Sequence, residues 1–176
     1  MKLHTLIVIL VIIIIIVNKN TALYKVQSTE NPEDYFSIVK TTKENDLKKA
    51  NQLSRLKNKI KILIQSLNIT SNEGAKLKQW NIKLEERRNK TDLGYTLNKN
   101  IIGLCLEDDE NALMFITIHE LAHIVTDEIG HTESFWNNFK KLLQQSIDIG
   151  IYKYENYNEK SKEYCNKNIL YTPIKK

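Results

Sequence analysis

The chain is poor in the residues that staple small secreted domains. Its 176 residues include only two cysteines, Cys105 and Cys165, so it can close one disulfide at most and is not a disulfide scaffold. It lacks internal repeats, which excludes a repeat array, and it has no low-complexity block apart from an isoleucine-rich run near the N-terminus. Methionine is scarce as well: Met1 and Met114 are the only two.

Charge is plentiful but unevenly placed. The net charge is +5, and residues 40–90 hold 14 Lys and Arg against 5 Asp and Glu, whereas residues 91–176 hold 9 against 13. A basic stretch of this kind is either a surface for nucleic acid or anionic lipid, or the solvated face of lysine-rich helices.

Residues 6–17, Leu-Ile-Val-Ile-Leu-Val-Ile-Ile-Ile-Ile-Ile-Val, form an unbroken apolar run between Lys2 and Lys19. Small residues suited to signal-peptide cleavage are poorly placed after it, with Thr21-Ala22 the one weak site, so the run reads as an uncleaved transmembrane anchor over residues 1–18. This makes the expected localisation a single-pass membrane protein. Lys2 and the terminal amine oppose Lys19 and Lys25, so the positive-inside rule chooses no side. Residues 19–40 lack periodicity, contain Asn31-Pro32 and read as a linker, which leaves residues 41–176 as the folded domain.

From about Thr42 to Leu67, apolar residues recur at three- and four-residue steps among lysines (Leu47, Ala50, Leu53, Leu56, Ile60, Leu63, Ile64, Leu67), which predicts an amphipathic helix. Leu77 to Leu84 reads as helix or irregular structure. Tyr95 to Leu97, Asn98 to Asn100 and Ile101 to Leu106 read as strand, turn and strand. The second of these strands either lies at a sheet edge, where it would align an extended peptide by β-augmentation, or is a buried central strand. The acids around Glu107 to Glu110 suit a helix N-terminus. The helix they open, about Asn111 to Asp127, buries Met114, Ile118, Leu121 and Val125. After Gly130, Thr132 can cap a further helix from Glu133 to about Ile147 with a strong apolar face.

The organising stretch lies on the first of these last two helices: His119-Glu120-Leu121-Ala122-His123, followed by Gly130-His131. Histidines four apart share one helix face and can grip one zinc ion while the adjacent glutamate reaches a water beside it. The chain has four histidines, and three of them fall within these thirteen residues. His131 is the natural third ligand, leaving a fourth position for water or a substrate carbonyl; Glu133 and Glu128 are the alternatives. The metzincin pattern places five residues between its second and third histidines and follows them with a methionine turn. Here seven intervene and both methionines precede the motif, so that class is disfavoured. The chemistry this points to is peptide hydrolysis on Zn2+ held by His119, His123 and His131, with Glu120 taking a proton from water and handing it to the leaving amine. Cys105 reads as core rather than ligand, pairing with Cys165 only in an oxidising compartment, and a tail tyrosine among Tyr152, Tyr154, Tyr157 and Tyr164 is open as an oxyanion stabiliser.

The run from His119 to His123 continuing through Gly130-His131-Thr132-Glu133-Ser134-Phe135-Trp136 resembles the WLM/SprT-like group of minimal zinc metallopeptidases, in the versions encoded by large DNA viruses. Tyr95 to Lys99, Leu104 to Leu106, Gly150 to Tyr152 and Tyr164-Cys165 carry the likeness outward, over about Asn68 to Pro173. Asn166 stands where that pattern leads to glycine. The resemblance implies a compact α+β zincin-like domain (active-site helix, short sheet, flanking helices), the same three histidines on zinc and Glu120 as base. Some members of the group act on proteins crosslinked to DNA, so nucleic acid joins protein or peptide substrate and the membrane as an expected partner. A membrane-anchored zinc endopeptidase is the reading adopted. The alternative is a non-catalytic zinc-stapled module binding nucleic acid or anionic membrane through the basic segment.

Overall fold

The computed structural model describes residues 22–174 except 69–70, 80 and 89–90. In chain order its elements are β1 (Leu23–Gln27), β2 (Tyr35–Val39), α1 (Lys43–Ser66), α2 (Asn72–Gln79), β3 (Lys83–Glu86), β4 (Gly94–Leu97), β5 (Ile101–Leu104), α3 (Glu110–Val125), α4 (Glu133–Asp148), β6 (Lys162–Tyr164) and β7 (Lys167–Ile169). The first five strands make one sheet in the order β1-β2-β3-β5-β4, and β6 and β7 form a separate hairpin. β2, β3 and β5 run parallel, while β1 and β4 close the two edges antiparallel to their neighbours.

The fold is α+β, and the expected architecture is corrected in two places. Among the described residues no helix is long and apolar enough to cross a membrane; the expected transmembrane helix over residues 1–18 lies outside the described residues, and the single-pass localisation drawn from it has no helix here to rest on. The linker reading of residues 19–40 is overturned from Leu23 onward. Alternation in Tyr35-Phe36-Ser37-Ile38-Val39 buries Phe36 and Ile38, and a polar loop hydrogen-bonded from Ser28 to Asp34 turns the chain back as a hairpin. Of the two placements left open for the strand at Ile101, the central one holds: β5 lies between β3 and β4, so the free edge near the histidines belongs to β4.

Helix α1 follows from its pattern. Thr42 caps it, accepting from the Asn45 amide at 3.3 Å, and Ala50, Leu53, Leu56, Ile60 and Leu63 are buried. Its basic side chains are largely spent inside the molecule. Lys48 pairs with Asp108 at 2.6 Å, Lys49 with Glu86 at 2.6 Å, Lys57 with Asp34, Arg55 with Glu30 and Glu110, and Lys59 with Glu110 at 3.0 Å. The exposed pairs among these, such as Lys48 with Asp108, add little stability individually, whereas Lys49–Glu86 is largely buried and Lys57 meets a buried Asp34. Their effect is to match a basic helix to acids of the β1–β2 loop, of β3, and of the start of α3 and the loop before it.

Helix α3 is the centre of the core. Ala112 to Ile118, Leu121, Ala122, Ile124 and Val125 are buried, including the four residues of the seam predicted from spacing. Asp109 caps its start, accepting from the Ala112 amide at 2.8 Å. Helix α4 packs on it through Phe135, Phe139, Leu142 and Leu143. The β6–β7 hairpin turns at Cys165 and Asn166, with φ of 53° and 58°. Both positions are left-handed, a conformation asparagine tolerates better than most residues, which accounts for a non-glycine at position 166.

Candidate functional site

Helix α3 carries His119, Glu120 and His123 in its last two turns and then closes at Thr126, whose Oγ1 donates back to the Ala122 carbonyl at 2.7 Å. Two lysines meet the carbonyls at this end. Lys76 Nζ donates to Val125 O at 2.8 Å and pairs with Asp127 at 2.6 Å, and Lys99 Nζ donates to Thr126 O. Cations suit a helix C-terminus, where unsatisfied carbonyls gather negative charge. The loop that follows is left-handed at Gly130, φ 87°, and returns His131 to the helix before Thr132 caps α4 by accepting from the Phe135 amide at 3.3 Å.

The three predicted histidines are brought together. His119 Nε2 and His131 Nε2 are 3.1 Å apart, and one ring nitrogen from each of His119, His123 and His131 lies within 4.8 Å of the others. Zinc–nitrogen bonds of about 2.0–2.1 Å in a tetrahedron put ligand nitrogens roughly 3.4 Å apart, so the donor set fits one ion with small ring rotations. Phe135 packs against all three rings, with centroids 4.9, 4.3 and 4.6 Å away. Burial, reinforced by His123 and His131, lowers the His119 pKa to about 3. Burial, with His131 and Lys99, lowers that of His123 to about 4. Both rings are therefore neutral at neutral pH and present lone pairs, as metal ligation requires. The cluster could hold a metal ion. Glu128 accepts from Ser134 Oγ at 2.8 Å, and Glu133 is exposed in the first turn of α4; neither belongs to the cluster.

Glu120 is 5% exposed. Burial raises its carboxyl pKa to about 7; a hydrogen bond from Thr96 works against the rise and the charge of Asp92 adds to it. Thr96 Oγ1 lies 2.8 Å from Glu120 Oε2. A carboxyl poised near neutrality is suited to both accepting and releasing a proton.

These groups line one cleft of about 790 Å3. Its walls are β4, α3, the loop from Glu128 to His131, Trp136 and Phe139 of α4, and the stretch from Lys167 to Tyr171. A disulfide joins Cys105, just past β5, to Cys165 in the β6–β7 turn, with Cα atoms 6.4 Å apart, and so ties that last wall to the sheet. None of the four tail tyrosines named from the sequence lines the cleft. Tyr152, Tyr157 and Tyr164 are buried and Tyr154 donates to Ile174 O at 3.2 Å. Tyr171 lines it instead, edge-on to Trp136 with centroids 4.9 Å apart. Sequence reasoning also missed Thr96. The available signal was strand alternation, which puts it on one face of β4 with Gly94.

No protein-family model matches the chain. Over shorter stretches it is similar to viral proteins: 38% identical over 81 residues to uncharacterized protein 136R of Invertebrate iridescent virus 6, covering 41% of this chain and 46% of that protein. It is 46% identical over 65 residues to uncharacterized protein 042R of Invertebrate iridescent virus 3, covering 33% and 41%. A third stretch of 71 residues is 42% identical to uncharacterized protein R325 of Acanthamoeba polyphaga mimivirus, covering 36% of each. The chain therefore spans less than half the length of these relatives. Among solved structures, Wss1 from Saccharomyces cerevisiae superposes with a TM-score of 0.51 at 19% identity, over 71% of this chain and 91% of that one. The α+β fold described above is thus one that this chain shares with Wss1.

Proposed function

We infer that the protein is a zinc-dependent peptidase acting on extended polypeptide. The observation that carries this reading is the convergence of three imidazoles with the buried carboxyl of Glu120 in one open cleft. The fold shared with Wss1 and the sequence resemblance to WLM/SprT-like metallopeptidases support it. Zinc held by His119, His123 and His131 supplies Lewis-acid polarisation of the scissile carbonyl and of water. The chain's own residues do the rest. Glu120 takes the proton from the attacking water and returns it to the departing amine. The outer edge of β4, unpaired among the described residues, receives the peptide main chain as an added strand and so fixes the carbonyl near the base. Apolar rim residues, Ile129 (97% exposed), Leu170 (65%) and Tyr171 (47%), offer contacts to apolar side chains of an unfolded substrate.

Glu120→Gln tests the assignment. The variant is expected to bind zinc as the parent does and to lose cleavage of an unfolded protein. Zinc-replete parent protein that cleaves no member of a broad peptide pool would instead favour the zinc-stapled binding module. The internal pairing of Lys48, Lys49, Arg55, Lys57 and Lys59 weighs against the nucleic-acid surface that this alternative requires.

A further inference from the structure

The segment Tyr95-Thr96-Leu97-Asn98-Lys99 carries sequence resemblance but no zinc ligand and no acid or base. The inner face of β4 nevertheless meets the helix that carries the histidines, at Glu120 and Ile116. Gly94 and Thr96, two apart in β4, project toward Glu120. Thr96 Oγ1 lies 2.8 Å from Glu120 Oε2 and 3.1 Å from the Glu120 main-chain oxygen. At Gly94 an added Cβ would come within 3.1 Å of Glu120 Oε1 and of Ile116 Cγ2, and within 3.2 Å of Glu120 Cγ. A side chain at position 94 would press on the carboxylate and on Ile116, so its absence gives Glu120 room against the strand. A glutamate side chain has three rotatable bonds, and leaving it free to wander would disperse the base over several geometries.

We propose that Thr96 is a positioning residue for Glu120: with Gly94 making the room, its hydroxyl engages Oε2, fixes the carboxylate on the α3 side of the cleft and leaves Oε1 as the oxygen that accepts the proton. This rests on the reading of Glu120 as the general base. The hydroxyl has a single proton and is drawn more strongly to a charged carboxylate than to a neutral carbonyl. The Thr96 side chain points inward while the outer main-chain edge of β4 stays free for substrate, so removal of the hydroxyl is expected to slow turnover without weakening binding.

The test uses the full chain loaded with zinc. Thr96→Val keeps the shape and removes the hydroxyl; Thr96→Ser keeps the hydroxyl and removes the methyl. Thr96→Val is expected to retain zinc stoichiometry and KM and to lose about tenfold or more in kcat on an unfolded protein, with Thr96→Ser recovering most of it. A second measurement needs no activity. In metal-free protein, Thr96→Val should lower the Tm by a few degrees in the parent and by clearly less in Glu120→Ala, because the two side chains act as a pair. Parent-like kcat in Thr96→Val, equal losses in the Val and Ser variants, or the same Tm loss in both backgrounds would overturn the proposal. Should the parent itself cleave nothing, the peptidase reading is what fails, and the Tm comparison still decides whether Thr96 holds Glu120.

Discussion

Lys99 and Thr126 are joined beside the cleft: the ammonium of Lys99, in the turn between β4 and β5, donates to the carbonyl of the residue that closes α3. The lysine sits at φ 53°, a left-handed conformation that costs a non-glycine residue energy and persists when surrounding contacts hold it. The contact ties the strand that flanks Glu120 to the loop that delivers His131. Lys99→Ala is expected to cost about 1 kcal/mol of stability and to weaken zinc binding by about tenfold as that loop loosens. Chelator competition measures the second effect; unchanged zinc affinity would show that the remaining contacts, among them Lys76 to Asp127 and Ser134 to Glu128, hold the loop without Lys99.

The third imidazole is separable from its acidic neighbours. His131→Ala should lower zinc content sharply in dialysed protein, whereas Glu128→Ala and Glu133→Ala should leave it intact, because Glu128 is engaged with Ser134 and Glu133 lies outside the cluster. Metal analysis of the three variants reads this directly. Loss of zinc on replacing either glutamate would reassign the ligand.

The buried carboxyl of Glu120 makes metal-free stability depend on pH in a stated direction. Its pKa is raised from 4.5 to about 7, so between those values the folded chain keeps a proton that the unfolded chain has released, and raising the pH removes stability. Glu120→Gln abolishes this loss. In chelator, the variant should match the parent below about pH 4.5 and exceed it by on the order of 2–3 kcal/mol above pH 7. His119 and His123, with lowered pKa values, act the other way, withdrawing stability as the pH falls below their unfolded value, and do so in both proteins. Urea unfolding at several pH values gives the difference. A constant offset would mean that Glu120 titrates normally.

The disulfide spans a sequence separation of 60 residues. Closing a loop of that length is worth about 4 kcal/mol through the unfolded chain. The Cys105→Ser, Cys165→Ser double variant should lose most of that stability. It should also show a raised KM, because the released hairpin leads into the wall formed by Ile169, Leu170 and Tyr171. Denaturant unfolding and steady-state kinetics check the two effects separately.

Much of this was legible from spacing alone. The four-residue step between His119 and His123, the acids before α3, the apolar seam through Met114 and Ile118, and the Thr132 cap are local features, and local rules find them. The antiparallel pairing of β4 with β5 was legible for the same reason. What escaped depends on residues far apart in the chain. Strand order cannot be read from a strand, so Ile101–Leu104 did not reveal that β3 would cover one of its sides and β4 the other. β1 and β2 are five residues each with mixed polarity, and become strands by pairing with each other and, through Ser37 and Glu85, with β3. Thr96 meets Glu120 across 24 residues, and nothing in a lone strand threonine announces which group its hydroxyl will find.

The covalent bridge from Cys105 to Cys165 also shapes how damage would look. The exposed loop at Asp127–Gly130 is an open target for cutting, and a break there lies within the bridged span. The two fragments would stay linked and migrate together on a gel run without reductant. Only after reduction would the piece bearing His131 part from the piece bearing His119 and His123, so an apparently intact preparation can already contain nicked molecules.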